Sequence, residues 1–128
     1  MKSSLDILSA LYQHINVEPL RSSLTGKVYI GEVPSKSQLE DISIKTLNNT
    51  NRYLQTGFIN LNTYVYQEKS GRENLERFKE LIDMIIPMVK DVAIDGYYFQ
   101  IDDDKGIFKD QDRDGMYFYN LRLEFQTL

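Results

Sequence analysis

The chain has no cysteine and no tryptophan, a single histidine, and three prolines in 128 residues. Without cysteine there is no disulfide framework and no thiolate zinc site. A lone His14 removes most imidazole-dependent acid–base chemistry and any metal cluster built from several histidines. Positive charge is also short: 15 Lys and Arg stand against 19 Asp and Glu, a net of −4. That balance argues against a protein that binds nucleic acid by neutralising phosphates. No apolar run is long enough to span a bilayer, and Met1-Lys2-Ser3-Ser4 leads into alternating polar and apolar residues with no signal-peptide core. Asn48-Asn49-Thr50 spells a glycosylation sequon, which means nothing without a secretory route. A cytoplasmic protein with no membrane partner is expected. There is no phosphate-cradling Gly-rich loop and no Gly-x-Ser-x-Gly elbow, so neither a nucleotide cofactor nor a serine nucleophile is indicated.

What the chain does carry is aromatic and acidic. It has nine Tyr and six Phe, and Tyr suits half-buried strand positions and protein interfaces because its apolar body ends in a polar tip. Residues 102–114 hold six Asp against Lys105, Lys109 and Arg113, a local net of −3, which leaves the rest nearly neutral. The length fits one domain spanning 1–128.

Leu5, Leu8, Leu11, Tyr12 and Ile15 recur at helical spacing, with Ser3 or Ser4 as N-cap and Pro19 past the end, so a helix is expected over 4–16. Val28–Ile30 reads as a short strand and 31–40 as a loop. Ile42 and Ile44 alternate with Ser43 and Lys45, as in a strand, which makes the Ser37–Glu40 capping-box pattern accidental. Asn48–Asn51 is turn chemistry. Gly57, Ile59, Leu61, Thr63 and Val65 then share one strand face, while Phe58, Asn60, Asn62, Tyr64 and Tyr66 share the other. Such a strand belongs to a sheet covered on one side. Ser70-Gly71-Arg72-Glu73 reads as a second capping box ahead of a helix to Val89, with Pro87 expected to kink or end it near Ile86. Tyr97–Ile101 and Tyr117–Phe125 alternate as two antiparallel strands joined by the charged connection 102–115. The expected fold is α+β: a mainly antiparallel sheet of four to five strands with two helices packed on one face.

Three candidate sites stand out. Asp110-Gln111-Asp112-Arg113-Asp114-Gly115 matches the first half of an EF-hand loop, where alternate carboxylates surround Ca²⁺. The twelfth position is Leu121 instead of Glu, the flanks are strand-like, and Arg113 intrudes. A solvated turn is therefore expected, with weak Ca²⁺ binding at Asp110, Asp112 and Asp114 as the alternative. Asp102, Asp103 and Asp104 read as a hydrated turn, since catalytic carboxylates need a pocket and orienting partners. Tyr64 and Tyr66 face away from the helices and suit either cross-strand pairing or a subunit contact, and Arg52 and Tyr53 in the same hairpin are further interface candidates. No catalytic residue and no resident metal is expected.

In this order, the chain resembles the tail terminator (tail completion, minor tail protein U-like) proteins of long-tailed bacteriophages and prophages. The resemblance rests on the helix Ser4–Asn16, the segment Leu24-Thr25-Gly26-Lys27-Val28-Tyr29 with Pro34 after it, the strand end Tyr64-Val65-Tyr66, the helix Ser70–Val89, and the strand Tyr117–Phe125 after an Asp-rich turn. It implies a non-enzymatic subunit of a homo-oligomeric ring, commonly a hexamer, which caps the head-proximal end of the tail tube, stops its polymerisation and joins it to the head. The implied partners are further copies of the chain, a tail-tube protein and a head-completion protein. DNA would pass through the ring unbound, along an acidic lining or past a docking loop formed by 102–114. The implied location is the bacterial cytoplasm, then the virion tail. The alternatives are another head–tail connector or tail-tube protein, or a small Ca²⁺- or ligand-binding α+β module.

Overall fold

Ser3 opens the first helix, α1 (Ser4–Ile15): its hydroxyl accepts from the Asp6 N–H at 3.2 Å, and the Asp6 carboxylate accepts from the Ser3 N–H at 2.8 Å. Two otherwise orphaned donors are thereby satisfied. The computed structural model describes residues 3–47 and 56–128. After α1 come a one-turn helix α2 (Leu20–Ser23), strands β1 (Val28–Ile30), β2 (Ile42–Thr46) and β3 (Thr56–Tyr66), helix α3 (Leu75–Val89), and strands β4 (Val92–Ile94), β5 (Tyr97–Lys109) and β6 (Met116–Thr127).

The strands form one sheet in the order β1-β2-β3-β6-β5-β4, curved into a half-barrel. The β1–β2 pair is parallel and the other neighbours are antiparallel. The expectation of four to five strands and two helices is thus corrected, among the described residues, to six strands and three helices. The added strand, β4, comes from a hairpin closed by Asp95-Gly96, where both residues have positive φ (50° and 86°). This is the backbone of a two-residue turn that Asp-Gly adopts readily.

Helix α3 also differs from expectation. Ser70–Glu73 does not cap it. Asn74 does, its side-chain oxygen accepting from the Arg77 N–H at 3.2 Å. Nor does Pro87 end the helix near Ile86: it sits inside the last turn, and α3 runs to Val89. A proline there removes only one donor near a terminus, so the helix tolerates it. His14 from α1 donates through Nε2 to the Met88 carbonyl at 2.7 Å, which satisfies an acceptor that the helix end leaves open.

The core forms where the apolar stripes of α1 (Ile7, Leu8, Leu11, Ile15) and α3 (Phe78, Leu81, Ile82, Ile85, Val89) meet one face of the sheet. That face carries Ile42, Ile44, Ile59, Leu61, Phe99, Leu121, Leu123 and Phe125. The long β3–β6 pairing sets Leu61 opposite Leu121 and Ile59 opposite Leu123, so a one-residue slip would turn the whole apolar set outward.

A polar brace joins the helix layer to the β1–β2 side. Arg77 of α3 binds both Glu40 carboxylate oxygens, at 2.7 and 2.8 Å, and donates to the Ser23 carbonyl. The Glu40 backbone N–H donates to the Thr25 hydroxyl at 2.8 Å, and Gly26 N–H donates to the Glu40 carbonyl at 3.0 Å. Beside it the buried Asp41 carboxylate accepts from Lys27 N–H and from the Ser37 hydroxyl. A Cβ added at Gly26 would lie 1.9 Å from an Asp41 oxygen and 2.7 Å from the Glu40 carbonyl, so the chain passes here only as glycine.

Two outcomes follow for stability in urea. Leu61→Ala should cost about 2–5 kcal/mol, whereas Leu39→Ala, at a half-exposed loop position, should change stability by less than about 0.5 kcal/mol. Gly26→Ala should cost about 1–3 kcal/mol, because the Asp41 side chain must give way.

Candidate interaction surface

The sheet face opposite the helices is built from the alternate residues of β3, β6 and β5. The register places Phe58 against Glu124, Asn60 against Arg122, Asn62 against Asn120, Tyr64 against Phe118 and Tyr66 against Met116. Across β6, Phe108 of β5 lies opposite Phe118. The result is a surface with three zones.

At one end the rings of Tyr64, Phe118 and Phe108 form a continuous ladder, with centroids 5.5 and 5.6 Å apart. Phe108 and Tyr66 keep 45% and 40% of their surface exposed. The Arg113 guanidinium lies 4.4 Å above the Tyr64 ring. In the middle, the Asn120 amide donates to the Asn62 and Asn60 side-chain oxygens at 2.6 and 3.3 Å. At the far end Arg122 stacks 4.1 Å over Phe58 and pairs with Asp102, while Gln100 donates to Glu124. Cross-strand aromatic pairs and stacked guanidinium groups stabilise such a face without an apolar covering layer. They also present an amphipathic surface of the kind enriched at protein contacts.

Tyr64 and Tyr66 therefore lie on the helix-free face, as the alternation of β3 implies. Arg52 and Tyr53 lie outside the described residues. The acidic stretch is not a single connection: Asp102, Asp103 and Asp104 belong to β5, whose pairing with β6 is broken by bulges between Ile101 and Asp103 and between Asp104 and Gly106. This corrects the expected hydrated turn. A bulge re-aims side chains without ending a strand, so three successive carboxylates fit within it.

Asp110, Asp112 and Asp114 lie at the β5–β6 turn. Arg113 fills the middle of this turn: its Nε donates to Asp110 at 2.9 Å and its Nη1 donates to the Ser37 carbonyl at 3.0 Å. The other Asp110 oxygen accepts from the Asp112 N–H at 3.0 Å. The carboxylate that would begin a calcium loop is thus engaged inside the turn, and Asp112 and Asp114 are exposed. Among the described residues, no group of three or more His, Cys, Asp or Glu is placed to hold a metal ion.

A groove of about 360 Å³ beside β1 is lined by Tyr12, Asn16, Arg21, Leu24, Lys27 and Val28. Its lining holds cations, an amide and a phenol but no carboxylate, histidine or hydroxyl–base pair that would activate a nucleophile. Among the described residues no helix is long and apolar enough to cross a membrane.

No family model and no curated protein matches this chain.

Some phenols of the sheet titrate high. Burial, and then the Asp104 carboxylate beside it, push Tyr119 up to about 12. Burial raises Tyr64 and Tyr97 as well. The folded state therefore favours neutral phenols, and above the ordinary value near 10 the unfolded chain loses those protons first. Stability is fully present below about pH 10 and falls as pH rises toward about 12. Urea midpoints measured through that window should drop, and Tyr119→Phe should drop less steeply. Added calcium should leave Tm in place, since a ligand of the folded state would raise it.

Proposed function

We propose that this chain is a structural subunit of a phage-like tail, which caps the head-proximal end of the tail tube, halts its growth and joins it to the head. The observation that carries the reading is the helix-free sheet face, where Phe108, at the end of a ring ladder, and Tyr66 remain exposed with no covering layer among the described residues. Large aromatic surface left open on one side favours association with other chains. The resemblance of the chain to tail terminators supplies the kind of partner. The order of α1, β1, β3, α3 and β6 in the structure follows the segments on which that resemblance rests.

In this reading the surface performs no chemistry. It recognises neighbouring subunits, a tail-tube protein and a head-completion protein by shape and by the mixed aromatic and amide pattern. DNA passes the assembly without being gripped, because the chain's net charge of −4 gives phosphates no attraction.

Electron microscopy of tail tubes grown from the tube protein of the same genome tests this. With the chain present, tubes should stop growing and carry a cap at one end, and native mass spectrometry should register oligomers of the chain alone or on the tube. Tyr66→Ser with Phe108→Ser should leave Tm within a few degrees but lower capping by about tenfold or more. A chain that stays monomeric and leaves tubes growing overturns the reading.

A further inference from the structure

One side of α1 carries a polar strip beside the hairpin of β4 and β5. Asp6, Ser9, Ala10 and Gln13 are spaced three and four residues apart, so they share one side of the helix. With Asp95 of the hairpin turn and Tyr97 at the start of β5, they line a hollow of about 280 Å³. The hollow lies on the helix-covered side of the sheet, since Tyr97 belongs to the buried core. It is therefore separate from the bare face through which the chain is proposed to assemble.

Tyr97 is the unusual member of this lining. It is only 2% exposed, and its buried hydroxyl has no hydrogen-bond partner among the described residues. A hydroxyl buried in this way costs stability, and native folds satisfy most such groups with protein, water or ligand. Both carboxylates of the hollow act on it: after burial, Asp6 and Asp95 are what raise the Tyr97 phenol. The ring is rooted in β5, so its hydroxyl ends at the hollow, between helix and turn. Local structure places the two carboxylates. Asp6 accepts from the Ser3 N–H and hydroxyl at 2.8 and 3.1 Å, and a carboxylate offers about four acceptor positions. Asp95 sits at positive φ in the Asp-Gly turn and makes no ion pair among the described residues. No Lys, Arg or His lines the hollow.

Two carboxylates and a phenol oxygen around one hollow offer acceptors to a cation. A metal ion suits them poorly, because no group of three or more His, Cys, Asp or Glu forms among the described residues. A guanidinium is a planar fork that matches one carboxylate at a time. A primary ammonium carries three N–H donors and no acceptor, one donor for each of the three side chains. We infer that this hollow binds the primary ammonium group of an organic cation, with Asp6 and Asp95 balancing its charge and the Tyr97 oxygen accepting the third hydrogen bond. The hollow is small and rimmed by the exposed Asp6, Gln13 and Asp95, so it holds the head group and leaves the rest of the ligand in solvent. A short free amine and a lysine side chain present the same head group.

NMR titration of the full chain at neutral pH and low salt tests the site, with n-butylammonium and N-acetyl-lysine methylamide as probes. Each should shift the Gln13 side-chain amide and the Tyr97 ring signals and saturate at about millimolar concentration; the tighter probe distinguishes a free amine from a lysine side chain as the source. Butyltrimethylammonium has the same charge but no N–H, and should bind about tenfold more weakly or worse. Asp95→Asn and Tyr97→Phe should each weaken n-butylammonium by about fivefold or more. Asn tolerates positive φ, so the first change keeps the turn. The second should leave Tm in place or raise it, since the hydroxyl has no partner to lose. If Tyr97→Phe disturbs folding, Asp95→Asn alone reads the site. Gln13 signals that stay put, equal binding of the trimethyl probe, or full affinity in the folded variants would each overturn the assignment.

Discussion

Among the described residues, a single layer of helices facing a six-stranded sheet is the constraint from which the rest of this molecule follows. α1 and α3 can cover one face only, so every strand that crosses the middle must alternate between apolar residues toward the helices and residues that tolerate water on the other side. β3 and β6 meet this demand with Ile, Leu, Val and Phe inward and with Asn, Tyr, Phe and Arg outward. The outward set is not simply polar. Its rings stack on one another and beneath guanidinium groups, so the bare face holds its own shape while staying available to other chains.

The helix layer is fixed to this sheet by more than apolar contact. Arg77 ties α3 to Glu40 and Ser23, and Glu40 in turn holds Thr25 and Gly26. These residues come from α3, from the end of α2 and the chain leading into β1, and from the loop before β2, three segments separated in sequence. The Arg77–Glu40 pair is largely shielded, with 23% and 13% of the two side chains exposed. A pair held this way chiefly specifies one arrangement of the helix over the strands, since the cost of drying two charges offsets much of their attraction. Gly26 belongs to the same device: its lack of a side chain lets Asp41 approach the backbone of the incoming β1 segment.

Much of this was legible in the sequence wherever periodicity was strong. The helix from Ser4, the alternation from Gly57 to Val65 and the inward set Leu121, Leu123 and Phe125 are direct consequences of spacing. The misreadings occurred where local rules compete. Ser70–Glu73 has a capping-box pattern, but Asn74 lies nearer the apolar stripe and its short amide caps equally well. The three Asp at 102–104 have poor strand propensity, and only cross-strand pairing with β6 and two bulges hold them extended, which is tertiary context that propensity does not carry. β4 escapes a reading by pattern because Val92–Ile94 is too short for periodicity, though Asp95-Gly96 marks its turn. Of the surface, Tyr64 and Tyr66 could be placed by alternation, while Phe108 could not, because its facing depends on bulges that no pattern reveals. The Arg77–Glu40 brace and the Arg113 contacts were invisible for the same reason: they join residues far apart in the chain.

Arg113 also couples two loops. Its guanidinium holds Asp110 in its own turn and reaches the Ser37 carbonyl in the loop between β1 and β2. The tip of a long hairpin is ordinarily the first part of a sheet to fray, yet here it is riveted to a neighbouring loop at the molecule's rim. Two segments distant in sequence are thereby joined in one lip, from which Asp112 and Asp114 stand exposed. Whatever meets that rim meets two loops already tied together by one guanidinium, so less backbone freedom is lost in the encounter.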